Sequence, residues 1–185
     1  MKTDLKNIAS IQTGFYAKSV KEGDLIYLQA KHFNEKGLLI NDLHPDLLSE
    51  DVSDKHLLNP GDILFAAKGI KNFAAVFQEH NASAVASTSF FVIRLTVNYV
   101  LPEYLAWFLN HPNTLKIIKS KARGTSIASI SKSVLEETTI IVPDLETQKK
   151  VIKINELRAL ETKLKEQIES LNEKQIQQKI INALK

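Results

Sequence analysis

Residues 144–184, DLETQKKVIKINELRALETKLKEQIESLNEKQIQQKIINAL, contain neither Pro nor Gly and are dominated by Leu, Ile, Glu, Lys and Gln. Such a stretch predicts one uninterrupted helix from Asp144 to Leu184, a rod of about 60 Å. Pro143 closes the apolar run Thr139-Ile140-Ile141-Val142 before it. Asp144 can cap the first turn through its carboxylate, and Glu146 adds negative charge at the helix N-terminus. Val151, Ile154, Leu157, Leu160, Leu164, Ile168 and Leu171 recur at steps of three and four and form one apolar stripe. Ile176, Ile180 and Leu184 continue it less regularly. A rod this long cannot bury its stripe on a small domain alone. It asks for another helix, and because no strict heptad survives past Leu171 the expected contact is a limited antiparallel or bundle one rather than a long supercoil. The competing arrangement is a helix folded back on its own domain.

The rest of the composition is that of a globular chain. Of 185 residues, 44% are hydrophobic and 24% charged, enough for one core with an appendage and too apolar for disorder. With no cysteine, disulfides, thiolate-bound zinc and cysteine nucleophiles are excluded. No apolar run approaches the roughly 20 residues of a membrane span, so we expect a cytoplasmic protein with no membrane partner. The net charge of +3 permits an acidic partner such as DNA without demanding one.

Upstream of the rod the chain alternates strand candidates with turn signals. Leu5, Ile8 and Ile11 space a short helical turn running into Gln12-Thr13-Gly14-Phe15, where Gly14 offers a sharp backbone turn. Leu25-Ile26-Tyr27-Leu28 and Gly37-Leu38-Leu39-Ile40 are short strand candidates. Asn59-Pro60-Gly61-Asp62 is a turn leading into the strand Ile63-Leu64-Phe65-Ala66. The basic loop Lys68-Gly69-Ile70-Lys71-Asn72 then connects to Ala74-Ala75-Val76-Phe77, a hairpin with a long tip. Ser87-Thr88-Ser89 precedes Phe90-Phe91-Val92-Ile93-Arg94-Leu95, the clearest strand. Pro102 opens a helix whose apolar face is Tyr104, Leu105, Phe108 and Leu109, and Asn113 to Lys121 follows as a second. Arg123-Gly124-Thr125-Ser126 breaks that helix, Ser131 to Glu136 restores about one turn, and Thr138 to Val142 is the last strand. Strands come first and helices last, an α+β order with a domain over 1–143 and a long coiled-coil-type helix over 144–185.

This order of pieces is recognisable. Gln12-Thr13-Gly14-Phe15, Gly61-Asp62-Ile63-Leu64-Phe65 with a Gly-containing loop after it, and Pro102-Glu103-Tyr104-Leu105 resemble elements of a target recognition domain. So do Gly124 before a Ser-rich turn and Pro143-Asp144-Leu145-Glu146-Thr147-Gln148 opening a long helix. The family is the specificity subunit of type I restriction-modification systems, and the resemblance runs from about Leu5 to the end of the helix. It implies a non-catalytic protein without cofactor or metal, whose globular part reads one half of a bipartite site in double-stranded DNA. The helix would act as spacer and docking surface for the methyltransferase subunit, with a restriction subunit joining through the complex. Family members usually carry two recognition domains and two long helices, so a chain with one of each resembles a half-subunit. We expect it to pair with an identical chain or with a different half-subunit through Leu157, Leu160, Leu164, Ile168 and Leu171. A two-fold homodimer would read a symmetric split site.

Reading sequence needs groups that reach base edges, while Lys and Arg on phosphates set affinity and register. The candidates are Lys31 and Asn34, Lys68, Lys71 and Asn72 on the hairpin tip, Ser87, Thr88 and Ser89, and Lys119, Lys121, Arg123, Thr125 and Ser126. Each has a plainer reading. The hairpin tip can be a solvated loop, and Lys119, Lys121 and Arg123 can complete a helix dipole. Trp107 and Phe108 belong to a core rather than to a stacking platform, and Arg94 is either a paired buried charge or a reader at a strand end. The alternating charges along the rod are those of a solvated helix face. Two rivals stand beside the DNA reading: a coiled-coil assembly protein, and a metal-dependent phosphoesterase suggested by Asp42-Leu43-His44 and Gly61-Asp62 but lacking its later Gly-Asn-His element. No phosphate-binding Gly-Lys-Ser/Thr loop and no Gly-x-Ser-x-Gly elbow occurs.

Overall fold

A computed structural model describes residues 1–34, 37–39, 43–69, 71–78, 82–121 and 129–184. They form two compact units, Met1–Gln148 and Lys149–Lys185. The first is built on a four-stranded antiparallel sheet in the order β2 (Ala9–Thr13), β7 (Phe90–Leu95), β4 (Ile63–Ala66), β5 (Ala74–Val76). The Phe90-to-Leu95 run takes an inner position, as its continuous apolar character requires: Phe90, Val92 and Ile93 are buried between β2 and β4. A parallel pair, β3 (Ile26–Leu28) and β6 (Ala84–Ala86), lies fully buried, and β1 (Lys2–Asp4) pairs antiparallel with β8 (Thr139–Ile141).

Helices α1 (Pro102–Asn110) and α2 (Pro112–Ser120) each begin with Pro in the first turn, where its missing N–H costs nothing. A short α3 (Lys132–Glu136) is capped by the Ser131 hydroxyl accepting from the Val134 N–H at 3.4 Å. One core gathers Leu28, Phe33, Leu64, Phe73, Phe77, Phe90 and Val92. Within it the rings of Phe33, Phe73 and Phe90 pack with centroids 5.4–6.0 Å apart. A second core gathers Leu25, Tyr27, Leu47, Val52 and Val85.

The long helix α4 runs Leu145–Ala183, one residue short of the expected bounds at each end. Its cap is the expected one: the Asp144 carboxylate accepts from the Thr147 N–H at 2.8 Å and from the Thr147 hydroxyl at 2.9 Å. Those bonds hold the Asp144 carboxyl below its ordinary range. From Ile154 to Leu184 the stripe is uncovered, with Leu157 52% and Leu171 64% exposed.

Three local expectations change. The spacing of Leu5, Ile8 and Ile11 gives a single 3-10 turn, Leu5–Asn7, after which Ile11 enters β2; cross-strand burial overrides a three-residue period that is too short to nucleate a helix. Gly14 makes no positive-φ turn. It is small because a Cβ there would lie 2.1 Å from the Ser87 carbonyl oxygen. Among the described residues, Gly37 to Leu39 form no strand, only an isolated bridge from Leu39 to Phe33, while Leu38 is 59% exposed; Ile40 lies outside the described residues. The Asn59-to-Asp62 turn is as expected, with Gly61 at φ +89° and the Asp62 N–H bonded to the Asn59 carbonyl at 2.9 Å.

Candidate nucleic-acid interface

Strand direction decides which loops meet. β4 runs toward its end at Ala66, β7 begins at Phe90, β5 begins at Ala74, and β2 ends at Thr13. In the antiparallel sheet these four points share one end. At that end the Ala67 N–H donates to the Ser89 carbonyl at 2.9 Å, and the Ala67 carbonyl accepts from the Ile130 N–H at 3.0 Å. Lys68 bridges Ser129. Ala67 and Lys68 therefore join three separate stretches: the hairpin tip, the Ser87-to-Ser89 turn, and the segment that follows residues 122–128. The fourth stretch arrives through the core, because Phe33 packs on Phe73 and Phe90 and the Leu28 carbonyl accepts from the Ser87 N–H at 2.8 Å.

Within this group the candidates differ. Lys31, Lys68 and Lys71 are exposed, and Thr88 and Ser89 are half-buried. Ser87 is buried, its hydroxyl 2.6 Å from that of Ser89. Asn72 is buried too and donates its amide to the Ala66 carbonyl at 2.8 Å. That side chain closes the loop from inside and is withdrawn from the set of groups open to a partner. Asn34 is half-buried, and its Oδ1 accepts from the Leu38 N–H at 3.0 Å, an Asx-type closure. Lys119 and Lys121 are exposed at the C-terminal end of α2, a position that also suits the helix dipole. Arg123, Thr125 and Ser126 lie outside the described residues.

Arg94 lies at the opposite end of the sheet. Its Nε and Nη2 donate to the two Asp62 carboxylate oxygens at 2.7 and 2.6 Å, and Nη2 reaches the Leu57 carbonyl at 3.3 Å. Asp62 is 2% exposed, so this is the paired charge and not a reader; the hydrogen bonds to Asp62 raise the Arg94 pKa further. The same pair removes the phosphoesterase reading, since both Asp62 oxygens are committed and Oδ2 also accepts from the Asn59 N–H. Asp42 lies outside the described residues, and among those described no group of three His, Cys, Asp or Glu side chains gathers to hold a metal. Trp107 and Phe108 are half-buried and pack around Tyr104 with centroids 5.6 and 6.3 Å away, as helix packing predicts.

Two buried polar side chains hold the scaffold. Gln148 has no exposed surface: Oε1 accepts from the Leu101 N–H at 2.9 Å, and Nε2 donates to the Tyr99 and Pro143 carbonyls at 2.8 and 2.9 Å. It thereby links the first turn of α4 to the N-terminus of α1. Asn110 clamps β5, accepting from the Ala74 N–H and donating to its carbonyl, both at 2.7 Å. Gln148 ends the Pro143-to-Gln148 motif, which does not announce its burial, and Asn110 has no sequence signal, because a polar residue in a helix reads as solvent-facing unless its partners are known. Among the described residues no helix is long and apolar enough to cross a membrane.

Comparisons with known proteins bear on the family and the fold. A family model described as the type I restriction modification DNA specificity domain matches residues 2–170. The chain is 30% identical over 103 residues to the type I restriction enzyme HindI specificity subunit of Haemophilus influenzae, covering 54% of this chain and 22% of that protein. Among solved structures, it superposes with a TM-score of 0.63 at 18% identity on a chain of a type I restriction-modification assembly, covering 89% of this chain and 39% of the other. Against the HsdS subunit of Thermoanaerobacter tengcongensis the TM-score is 0.60 at 20% identity, over 90% of this chain and 43% of the other. The chain thus spans well under half the length of each of these relatives. The structural likeness fixes the α+β fold with its long C-terminal helix.

Proposed function

The chain belongs to the type I restriction modification DNA specificity family, and from that premise we propose that it is a non-catalytic recognition subunit reading one half of a bipartite site in double-stranded DNA. The observation that carries the reading is the convergence of the hairpin tip, the Ser87-to-Ser89 turn and the Ser129 segment at one end of the sheet. Exposed Lys68 and Lys71 on that tip, with exposed Lys31 two residues before the core-packed Phe33, supply the charge that neutralises phosphates. Hydroxyls at Thr88 and Ser89, and the segment bearing Arg123, Thr125 and Ser126, supply groups for base edges.

In this mechanism the chain performs no bond chemistry. Its loops place a methyltransferase subunit, and through the same complex a restriction subunit, at a defined distance from the half-site. The globular part, 1–143, does the reading, and the helix over 144–185 is spacer and pairing surface. Leu157, Leu160, Leu164, Ile168 and Leu171 cover themselves against a second long helix, from an identical chain or another half-subunit, in the cytoplasm where such complexes meet DNA.

The test is to map methylated adenines by single-molecule sequencing in a host expressing this chain with the methyltransferase subunit encoded nearest to it, against the methyltransferase alone. A split motif with inverted, matching halves that depends on this chain is the expected result. Unlike halves would retain the role and assign a second recognition chain. An active pair with no motif dependent on this chain would overturn DNA recognition and leave the helix as an assembly element.

A further inference from the structure

The segment from Gly14 to Val20 carries an aromatic ring that has no work inside the domain. Its backbone is fastened at four points. The Gly14 N–H donates to the Phe90 carbonyl at 3.0 Å, the Phe15 N–H to the Ala86 carbonyl at 2.7 Å, and the Val20 N–H to the Asp46 carbonyl at 2.8 Å. Tyr27 ties the middle, its hydroxyl donating to the Phe15 carbonyl at 2.9 Å and accepting from the Ala17 N–H at 3.3 Å. Phe15 and Ala17 turn inward onto the core of Leu25, Tyr27, Leu47, Val52 and Val85, and the Phe15 ring also stacks 4.8 Å from that of His56. By the alternation of an extended chain, Tyr16 and Lys18 turn outward together. Tyr16 is 71% exposed. Its phenol makes none of the bonds that occupy the hydroxyls of Tyr27 and Tyr104.

The strap leaves the sheet at the end where the recognition loops gather. Two of its anchors, Ala86 and Phe90, flank the Ser87-to-Ser89 turn, and Phe15 bridges Ser87 itself. A phenol donor and an ammonium two residues apart on one outward face are about 6.6 Å apart along the chain. Both are groups that bind phosphate oxygens of a duplex, contacts that position a protein without reading sequence. Resting on the DNA-recognition reading above, we propose that Tyr16 and Lys18 form a phosphate clamp. It grips the backbone of the same duplex beside the half-site and fixes the register in which the loops meet the bases. Because the strap is fastened on both sides of Tyr16, the clamp is set before DNA arrives, and little ordering is needed on binding.

The test uses the chain assembled with its methyltransferase subunit, a fluorescent mixed-sequence duplex, and anisotropy titrations across a salt series. Lys18→Ala should lower the slope of log affinity against log salt by about one. Tyr16→Phe, which keeps the ring and cannot disturb a buried contact, should weaken binding roughly five- to tenfold with the slope unchanged. The methylated motif should be the same in both variants. If the parent complex binds with salt dependence and both variants match it in affinity and slope, the clamp is overturned while recognition stands. A changed motif would also overturn it, by making these residues base readers. A parent complex with no salt-dependent binding would instead defeat the underlying DNA reading.

Discussion

Replacing Gln148 by Leu removes three hydrogen bonds from a site with no solvent access and leaves the Leu101 N–H and the Tyr99 and Pro143 carbonyls without this partner. At about 1 kcal/mol net per bond the loss is roughly 3 kcal/mol, and the extra apolar burial of Leu offsets part of it, for about 2–3 kcal/mol overall. The single tryptophan, Trp107, lies on α1, the helix that Gln148 caps, so its fluorescence reports unfolding of the affected region. In urea the midpoint should fall by about 1–2 M with the slope of the transition unchanged. Gln148→Glu gives a second arm. It keeps an acceptor for Leu101 but turns a carboxylate oxygen toward two carbonyls, so burial raises its pKa above the unfolded value of about 4.3. A group whose folded pKa is raised loses stability as pH rises through that pKa. The Glu variant should therefore be weakest at neutral pH and recover as pH falls. A Leu variant losing less than about 0.5 kcal/mol, or a Glu variant indifferent to pH, would refute the claim that this side chain fastens the helix start.

Four further outcomes are expected. Charge reversal at Lys68 and Lys71 should weaken duplex binding and lower the salt slope by about two, and an unchanged slope would remove the hairpin tip from the interface. Leu160→Asp with Leu164→Asp should weaken self-association about a hundredfold or more with the globular part still folded, read by sedimentation at several concentrations; an undiminished dimer would place the interface elsewhere. Arg94→Ala should cost about 2–3 kcal/mol, because it strands the buried Asp62 carboxylate while Arg94 itself is partly solvated, yet leave the methylated motif unaltered. A shifted motif would contradict its location at the far end of the sheet. For Asp144, whose carboxyl is held below its ordinary range first by the Thr147 N–H, the cap should persist down the acid limb and be lost only as pH falls through that depressed value. The midpoint of the Thr147 amide shift, followed by NMR, should lie below that of an ordinary aspartate, and a midpoint at or above the ordinary one would mean that the carboxylate is not bonded there.

Much of this fold is legible in local sequence because its signals are local. Asn59-Pro60-Gly61-Asp62 prescribes a turn, the apolar runs on either side of the Lys68-to-Asn72 loop prescribe a hairpin, and 41 residues without Pro or Gly prescribe a helix. What sequence hides is pairing at a distance. Nothing in Leu25-Ile26-Tyr27-Leu28 says that it lies parallel to Ala84–Ala86, and that pairing sets the stretch after Leu28 beside Ser87. Buried polar side chains are hidden for the same reason. Asn72 has the look of a loop-tip group, and Gln148 that of a motif end, until the backbone atoms they satisfy, at Ala66, Leu101, Tyr99 and Pro143, are known. Gly14 reads as a turn residue, and its close approach to Ser87 leaves no mark on neighbouring residues.

The pairing of β1 with β8 sets a timetable for synthesis. Lys2, Thr3 and Asp4 pair with Ile141, Ile140 and Thr139, so β1 waits, edge open, until the domain is almost entirely translated. Pro143 and the helix come immediately afterwards. At the roughly 5–20 residues per second of translation, the 39 residues of α4 take about 2–8 s to appear. The strand that closes the domain is thus made before the exposed apolar stripe of α4.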